Sequence, residues 1–86
     1  MDEWNVNYVS ATPLHVQLKS KIIAHIENGA LKKGNALPSV KKLSREVAVS
    51  IATAERTYRH LIKDGIVNYA KGKGYFVADT ERGLFR

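Results

Sequence analysis

Cysteine is absent from the 86 residues, which excludes disulfides and thiolate metal centres and leaves packing alone to hold a core. No run of about 18 apolar residues occurs, and Met1-Asp2-Glu3-Trp4 at the start has no basic segment leading into an apolar one. Both absences point to a soluble, cytoplasmic chain with no membrane span and no export signal. Carboxylates are scarce, eight Asp and Glu against fourteen Lys and Arg, and they stand scattered among basic residues instead of in pairs. G-x-S-x-G, H-E-x-x-H and the Lys-Ser/Thr ending of a P-loop are missing. Gly72-Lys73-Gly74 runs into Tyr75-Phe76-Val77 and so completes no G-x-G-x-x-G. His15 and His25 have no Cys, Asp or second His at ligand spacing and read as surface residues; neither a metal nor any other cofactor is expected, and the chain does not read as an enzyme.

What is present is positive charge, unevenly placed. The net charge is +6, yet residues 1–29 and 79–86 contribute none of the excess. Residues 30–78 carry ten Lys and Arg against Glu46, Glu55 and Asp64, a surplus of seven. An acidic partner should therefore meet that segment. A chain this short makes one small domain, and it reads as one module of a longer protein.

Along the chain, Trp4, Val6 and Tyr8 alternate with polar residues, which suggests that residues 1–11 form a packed extended arm. Thr12 and Pro13 fit the N-cap and first position of a helix. Leu14, Leu18, Ile22 and Ile26, with Ile23 beside them, form its apolar stripe, and Asn28-Gly29 its stop. A connector with turn chemistry at Gly34-Asn35 leads through a minimal strand to Leu37-Pro38. Ser39 caps a second short helix with Val40, Leu43 and Val47 inward. After only Ala48-Val49, Ser50 caps a third helix that Gly65 ends. Two helices joined so tightly must cross steeply, the helix-turn-helix arrangement. On the third helix Ala54, Tyr58, Leu61 and Ile62 face a core, while Ala52, Thr53, Arg56, Arg59 and Lys63 lie opposite. Residues 66–70 and 75–78 read as strands around the turn Lys71-Gly72-Lys73-Gly74, a β-wing with two lysines at its tip. The fold class expected is α+β, a winged helix-turn-helix of three helices followed by a two-stranded wing over residues 12–78. Residues 79–86 would begin a linker or tail.

Such a fold sends its second motif helix into the DNA major groove, N-terminus first, while the other helix crosses the backbone. On that geometry Ser50, Ala52 and Thr53 stand nearest base edges or flanking phosphates, and Arg56 reaches a guanine edge or a phosphate. Ser39 and Lys41 approach the backbone, and Lys71, Gly72 and Lys73 lie along the neighbouring minor groove. Glu55 pairs with Arg59 one turn on. Two other uses of the basic face are weaker: docking on an acidic protein partner, and RNA binding. RNA recognition wants exposed aromatics, whereas Tyr69, Tyr75 and Phe76 fall in core-packing strands, Tyr75 being the one open to solvent.

Taken in order, Leu37-Pro38-Ser39-x-Lys41-x-Leu43, Val49-Ser50-x-x-Thr53 with Tyr58 and Leu61, Gly65-Ile66, and Gly72-x-Gly74-x-Phe76-Val77 resemble the N-terminal domain of the GntR family of bacterial transcription regulators. The resemblance runs from near Pro13 to Ala78. It implies a winged helix-turn-helix, a dimeric repressor on a palindromic operator of double-stranded DNA, and a small-molecule effector bound only through a C-terminal domain outside this chain. Lys41 stands where many members have arginine, and Ile51 and Glu55 where arginines are common in the recognition helix. Arg56 with Tyr58 resembles the YtrA-like branch, in which Ile51 takes the place of a proline and would meet a thymine methyl.

Overall fold

Local signals set the three helices, and the computed structural model, which describes residues 6–78, shows how each is ended. The order is α1 (Leu14–Glu27), α2 (Val40–Val47), α3 (Ile51–Lys63), β1 (Val67–Ala70) and β2 (Gly74–Val77). Ser39 Oγ accepts the Lys42 N–H at 3.1 Å and Ser50 Oγ that of Thr53 at 3.0 Å, so α2 and α3 begin at the serines expected to cap them. Gly65, at φ +79°, ends α3 in a Schellman turn: its N–H donates to Ile62 O and that of Ile66 to Leu61 O.

The start of α1 lies one residue later than expected. Pro13 is the N-cap, in an extended conformation (φ −55°, ψ 146°), and its carbonyl accepts from Val16 and Gln17. Thr12 makes no side-chain cap; its carbonyl takes the Gln17 Nε2–H instead. The arm also differs. Residues 7–10 make a turn, not an extended run, closed by Ser10 N–H to Asn7 O and pinned to α1 by paired bonds between Asn7 and Gln17. Trp4 and residues 79–86 lie outside the described residues.

The core is where the three helices meet the sheet: Leu18 and Ile22 of α1, Leu43 and Val47 of α2, Ala54, Tyr58 and Leu61 of α3, and Val67 and Val77 of the strands. Leu14, Ile23 and Ile26 flank it, half-buried. Two expectations fail. His25 is buried, not on the surface, because it follows Leu18 and Ile22 at helical spacing and the chain folds back over it after Gly29, Leu31 N–H donating to its carbonyl. Ile62 is exposed; its place in the α3 stripe goes to Thr57, fully buried with its hydroxyl donating to Thr53 O at 2.9 Å, which removes the penalty for burying a polar group there.

The strands pair antiparallel with Val67 opposite Val77 and Ala70 opposite Gly74, so the pairing of β2 begins at Gly74 and ends at Val77, one residue earlier at each end than expected. On the far side of β2 the connector makes the minimal strand expected of it, a bridge between Ala36 and Phe76. Leu37 N–H to Tyr75 O, Gly34 N–H to Val77 O and Val77 N–H to Asn35 O, each 2.9 Å, make β2 the middle of a three-stranded edge. These bonds hold the wing against the helices. Three helices followed by a two-stranded wing is the winged helix-turn-helix arrangement.

Candidate nucleic-acid interface

The turn between α2 and α3 decides how α3 is presented. Ala48 takes a left-handed conformation (φ 61°, ψ 48°), uncommon for a residue with a Cβ, and lets Val49 N–H reach back to Ser44 O. Tyr8 holds this turn from outside: its hydroxyl lies 2.8 Å from both the Val47 and the Ala48 carbonyl oxygens, one hydrogen shared between two acceptors. Within the core Tyr58 ties α3 to the residue preceding the α2 cap, donating its hydroxyl to Pro38 O at 2.6 Å. Burial, with Tyr75 and Glu46 adding, pushes the Tyr58 phenol well above its usual value.

So held, α3 projects one side to solvent. Ile51, Ala52, Arg56 and Arg59 are exposed and Thr53 is half-buried. The Ser50 hydroxyl accepts from Thr53 N–H and donates to Thr53 Oγ1 at 2.8 Å, so it orders the first turn. Glu55 and Arg59 pair as expected, at 3.6 Å across one turn with both side chains exposed.

Lys41, with Ser39 at the start of α2, comes together with the wing. They line an open groove of ≈ 550 Å³ with Val40, Tyr69 and Lys73. Lys71 and Gly72 are exposed at the wing tip. Gly72, at φ +83°, occupies the third residue of the turn closed by Lys73 N–H to Ala70 O, a position where glycine is the residue free of strain. Lys73 also lies over the Phe76 ring, 4.1 Å from its centroid, which steadies it beside the groove.

The aromatic residues of the wing are arranged differently from the expectation. Tyr69, not Tyr75, is the exposed one, at 57 %. The register sets the two opposite each other; Tyr75 stacks on buried Tyr58 at 4.3 Å and Tyr69 covers Tyr75 at 4.9 Å, so Tyr69 is the outer member of a three-ring pile. Period-two alternation marked Tyr69 and Tyr75 only as strand residues. Which of them faced outward depended on Tyr58, which is distant in sequence.

Among the described residues no group of three or more His, Asp or Glu could hold a metal ion, and no helix is long and apolar enough to cross a membrane. A capped helix with a basic outward face, a second helix crossing behind it and a lysine-tipped wing at its side define a winged helix-turn-helix domain of the nucleic-acid-binding class. The chain belongs to the gntR family of bacterial regulatory proteins, whose model matches residues 14–77. It is 34% identical over 79 residues to the HTH-type transcriptional repressor STM4068 of Salmonella typhimurium, covering 92% of this chain and 33% of that protein. With the HTH-type transcriptional repressor YtrA of Bacillus subtilis it shares 26% identity over 73 residues, 85% of this chain and 56% of YtrA. Among solved structures it resembles YtrA from Sulfolobus acidocaldarius, a GntR-family transcription factor, with TM-score 0.86 and 29% identity over 91% of this chain and 82% of that one. The AraR DNA-binding domain in complex with operator ORX1 superposes with TM-score 0.76 and 25% identity, over 85% of this chain and 90% of that chain. The chain thus spans a third to little over half of these curated relatives.

Proposed function

We propose that this chain is the DNA-binding portion of a transcription regulator, a repressor, that inserts α3 into the major groove of a double-stranded operator and sets the wing at residues 71–74 against the adjacent minor groove. The observation that carries the reading is the groove that Lys41 of α2 shares with Lys73 of the wing, with Arg56 and Arg59 exposed on α3, Lys71 exposed at the wing tip, and Glu55, the carboxylate on the outward side of α3, paired to Arg59. The solved AraR complexes with operators support it from a similar fold. In this reading Ile51 and Ala52 meet base edges, and Thr53 and Arg56 stand where a base edge or a flanking phosphate can be reached. Ser50 orders the helix start. Ser39, Lys41 and Arg59 meet phosphates, and Lys71, Gly72 and Lys73 the minor groove. The unit is residues 12–78, with residues 1–11 an arm and 79–86 the start of a linker. The whole protein works in the cytoplasm as a homodimer on a palindromic site, takes its small-molecule effector through a separate C-terminal domain, and is not an enzyme.

Selection of bound duplexes from a randomised pool, followed by fluorescence anisotropy at two salt concentrations, tests this. A palindromic motif, and an affinity falling with salt more steeply than log-log unity, are the expected results. Arg56→Ala should then cost about 1–3 kcal/mol and relax preference at one position if it reads a base. A loss equal on all sequences would refute the base-reading role. Binding that barely responds to salt would favour an acidic protein partner.

A further inference from the structure

A second set of groups lies beside the outward face of α3 but on a different helix. The His15 ring meets the His60 ring edge-on, centroids 5.1 Å apart, and four residues further along both helices Lys19 Nζ pairs with Asp64 Oδ2 at 2.6 Å. Equal steps on the two helices mean that α1 and α3 run side by side in the same direction. His15, in the first turn of α1, is therefore level with His60, one turn along α3 from Arg56 and two turns from Ala52. Between the two helices is a cleft of ≈ 200 Å³ lined by His15, Ala52, Thr53 and Arg56.

The lining has the chemistry of an anion site. Arg56 supplies a guanidinium and Thr53 a hydroxyl hydrogen, since its oxygen already accepts from Ser50. Ala52 leaves room, and no carboxylate lines the cleft. Asp64 is engaged by Lys19 and Glu55 by Arg59. The charged and titratable groups acting on His15 are His60 and Arg56 from α3 and Lys19 from its own helix, all of one sign. Together with burial, which is the larger cause, they hold His15 below the ordinary histidine range in the free protein. An anion in the cleft would reverse that balance.

We propose that a backbone phosphate flanking the major groove seats in this cleft between α1 and α3, held by His15, Thr53 and Arg56, and that the protein takes up a proton on His15 as it binds. This rests on the DNA-binding reading above and assigns α1 a direct part in it. The proton comes from solvent and leaves again on release, so binding strengthens as pH falls. Each unit by which the phosphate raises the His15 pKa is a factor of about ten in affinity between the alkaline and acid limits.

The test is anisotropy binding of the selected duplex at constant ionic strength from about pH 5.5 to 8.5, a window that brackets histidine titration, for the wild-type chain, His15→Gln and His60→Gln. Alongside it, the His15 Cε1–H resonance is titrated with and without duplex. Affinity rising toward acid pH, a dependence flattened in His15→Gln and kept in His60→Gln, and a His15 pKa raised by duplex are expected. An unchanged pH dependence in His15→Gln, or a His15 resonance that titrates alike in free and bound protein, would overturn the proposal while leaving DNA binding intact. Absence of duplex binding by the wild-type chain at every pH would instead remove the reading on which the proposal stands.

Discussion

Tyr58→Phe isolates one hydrogen bond on which the presentation of the motif depends. The hydroxyl donates to Pro38 O at 2.6 Å from a side chain with no exposed surface. Phenylalanine keeps the ring, and hence the stack on Tyr75, so neither a cavity nor lost packing enters the balance. What remains is a half-buried carbonyl without its partner, which costs about 1–2 kcal/mol. In a domain of this size each kcal/mol moves the melting temperature by about 4–8 °C, so a fall of about 5–15 °C is expected. Thermal unfolding followed by circular dichroism measures it, with urea unfolding to confirm that the midpoint and not the m-value has changed. Because Pro38 directly precedes the cap of α2, Lys41 is held less firmly, and duplex affinity well below the melting temperature should drop a few-fold. A melting temperature within about 2 °C of wild type, equivalent to under half a kcal/mol, would refute the claim that this bond fixes α2 on α3.

Tyr58 also sets an alkaline limit. Its folded-state pKa is raised above the ordinary 10.0, so the unfolded chain ionises first and stability is lost as pH rises above about 10; Tyr58→Phe should flatten that limb in a pH series of urea midpoints. His15 works in the opposite sense. Its folded-state value is lowered from 6.5, so the DNA-free protein should lose stability as pH falls below about 6.5, visible in the same series and reduced in His15→Gln. Ala48→Gly relieves a left-handed residue of about 1–2 kcal/mol of strain and adds unfolded-state entropy of about 0.4–1 kcal/mol. A net gain of about 0–1.6 kcal/mol in chemical unfolding is expected. Ser50→Ala, which deletes both bonds to Thr53, should cost about 1 kcal/mol of stability, and its loss of duplex affinity should be no larger on one sequence than another.

The starts of α2 and α3 and the end of α3 were legible because capping is a matter of neighbours: Ser39, Ser50 and Gly65 act on backbone groups within five residues of themselves. The wing was legible for the same reason, its two strands and turn lying within one stretch of chain, whereas the register, which pairs Gly74 with Ala70 and starts β2 one residue early, was not. Misreadings fell where two stretches compete for one place. Thr57 stands at helical spacing from Ala54 and Leu61, and only the packing shows that this polar residue, its hydroxyl satisfied by Thr53 O, and not Ile62 fills the buried side of α3. His25 is buried because the chain returns over it. Tyr75 is covered because Tyr58 is beneath it and Tyr69 above.

Sequence by itself determined the order of elements, the steep helix-turn-helix join, the concentration of charge in residues 30–78 and the basic side of α3, since each follows from local propensity, spacing or count. Tertiary structure decided which of those residues act together. Tyr8 reaches the α2–α3 turn from 39 and 40 residues away, and Tyr58 reaches Pro38 across 20. The groove joining Lys41 to Lys73 and the cleft joining His15 to Arg56 arise only when separate elements are brought side by side. The physical reason is that a cap or turn is satisfied within a few residues, whereas packing and charge act over distances in space that the order of residues does not encode.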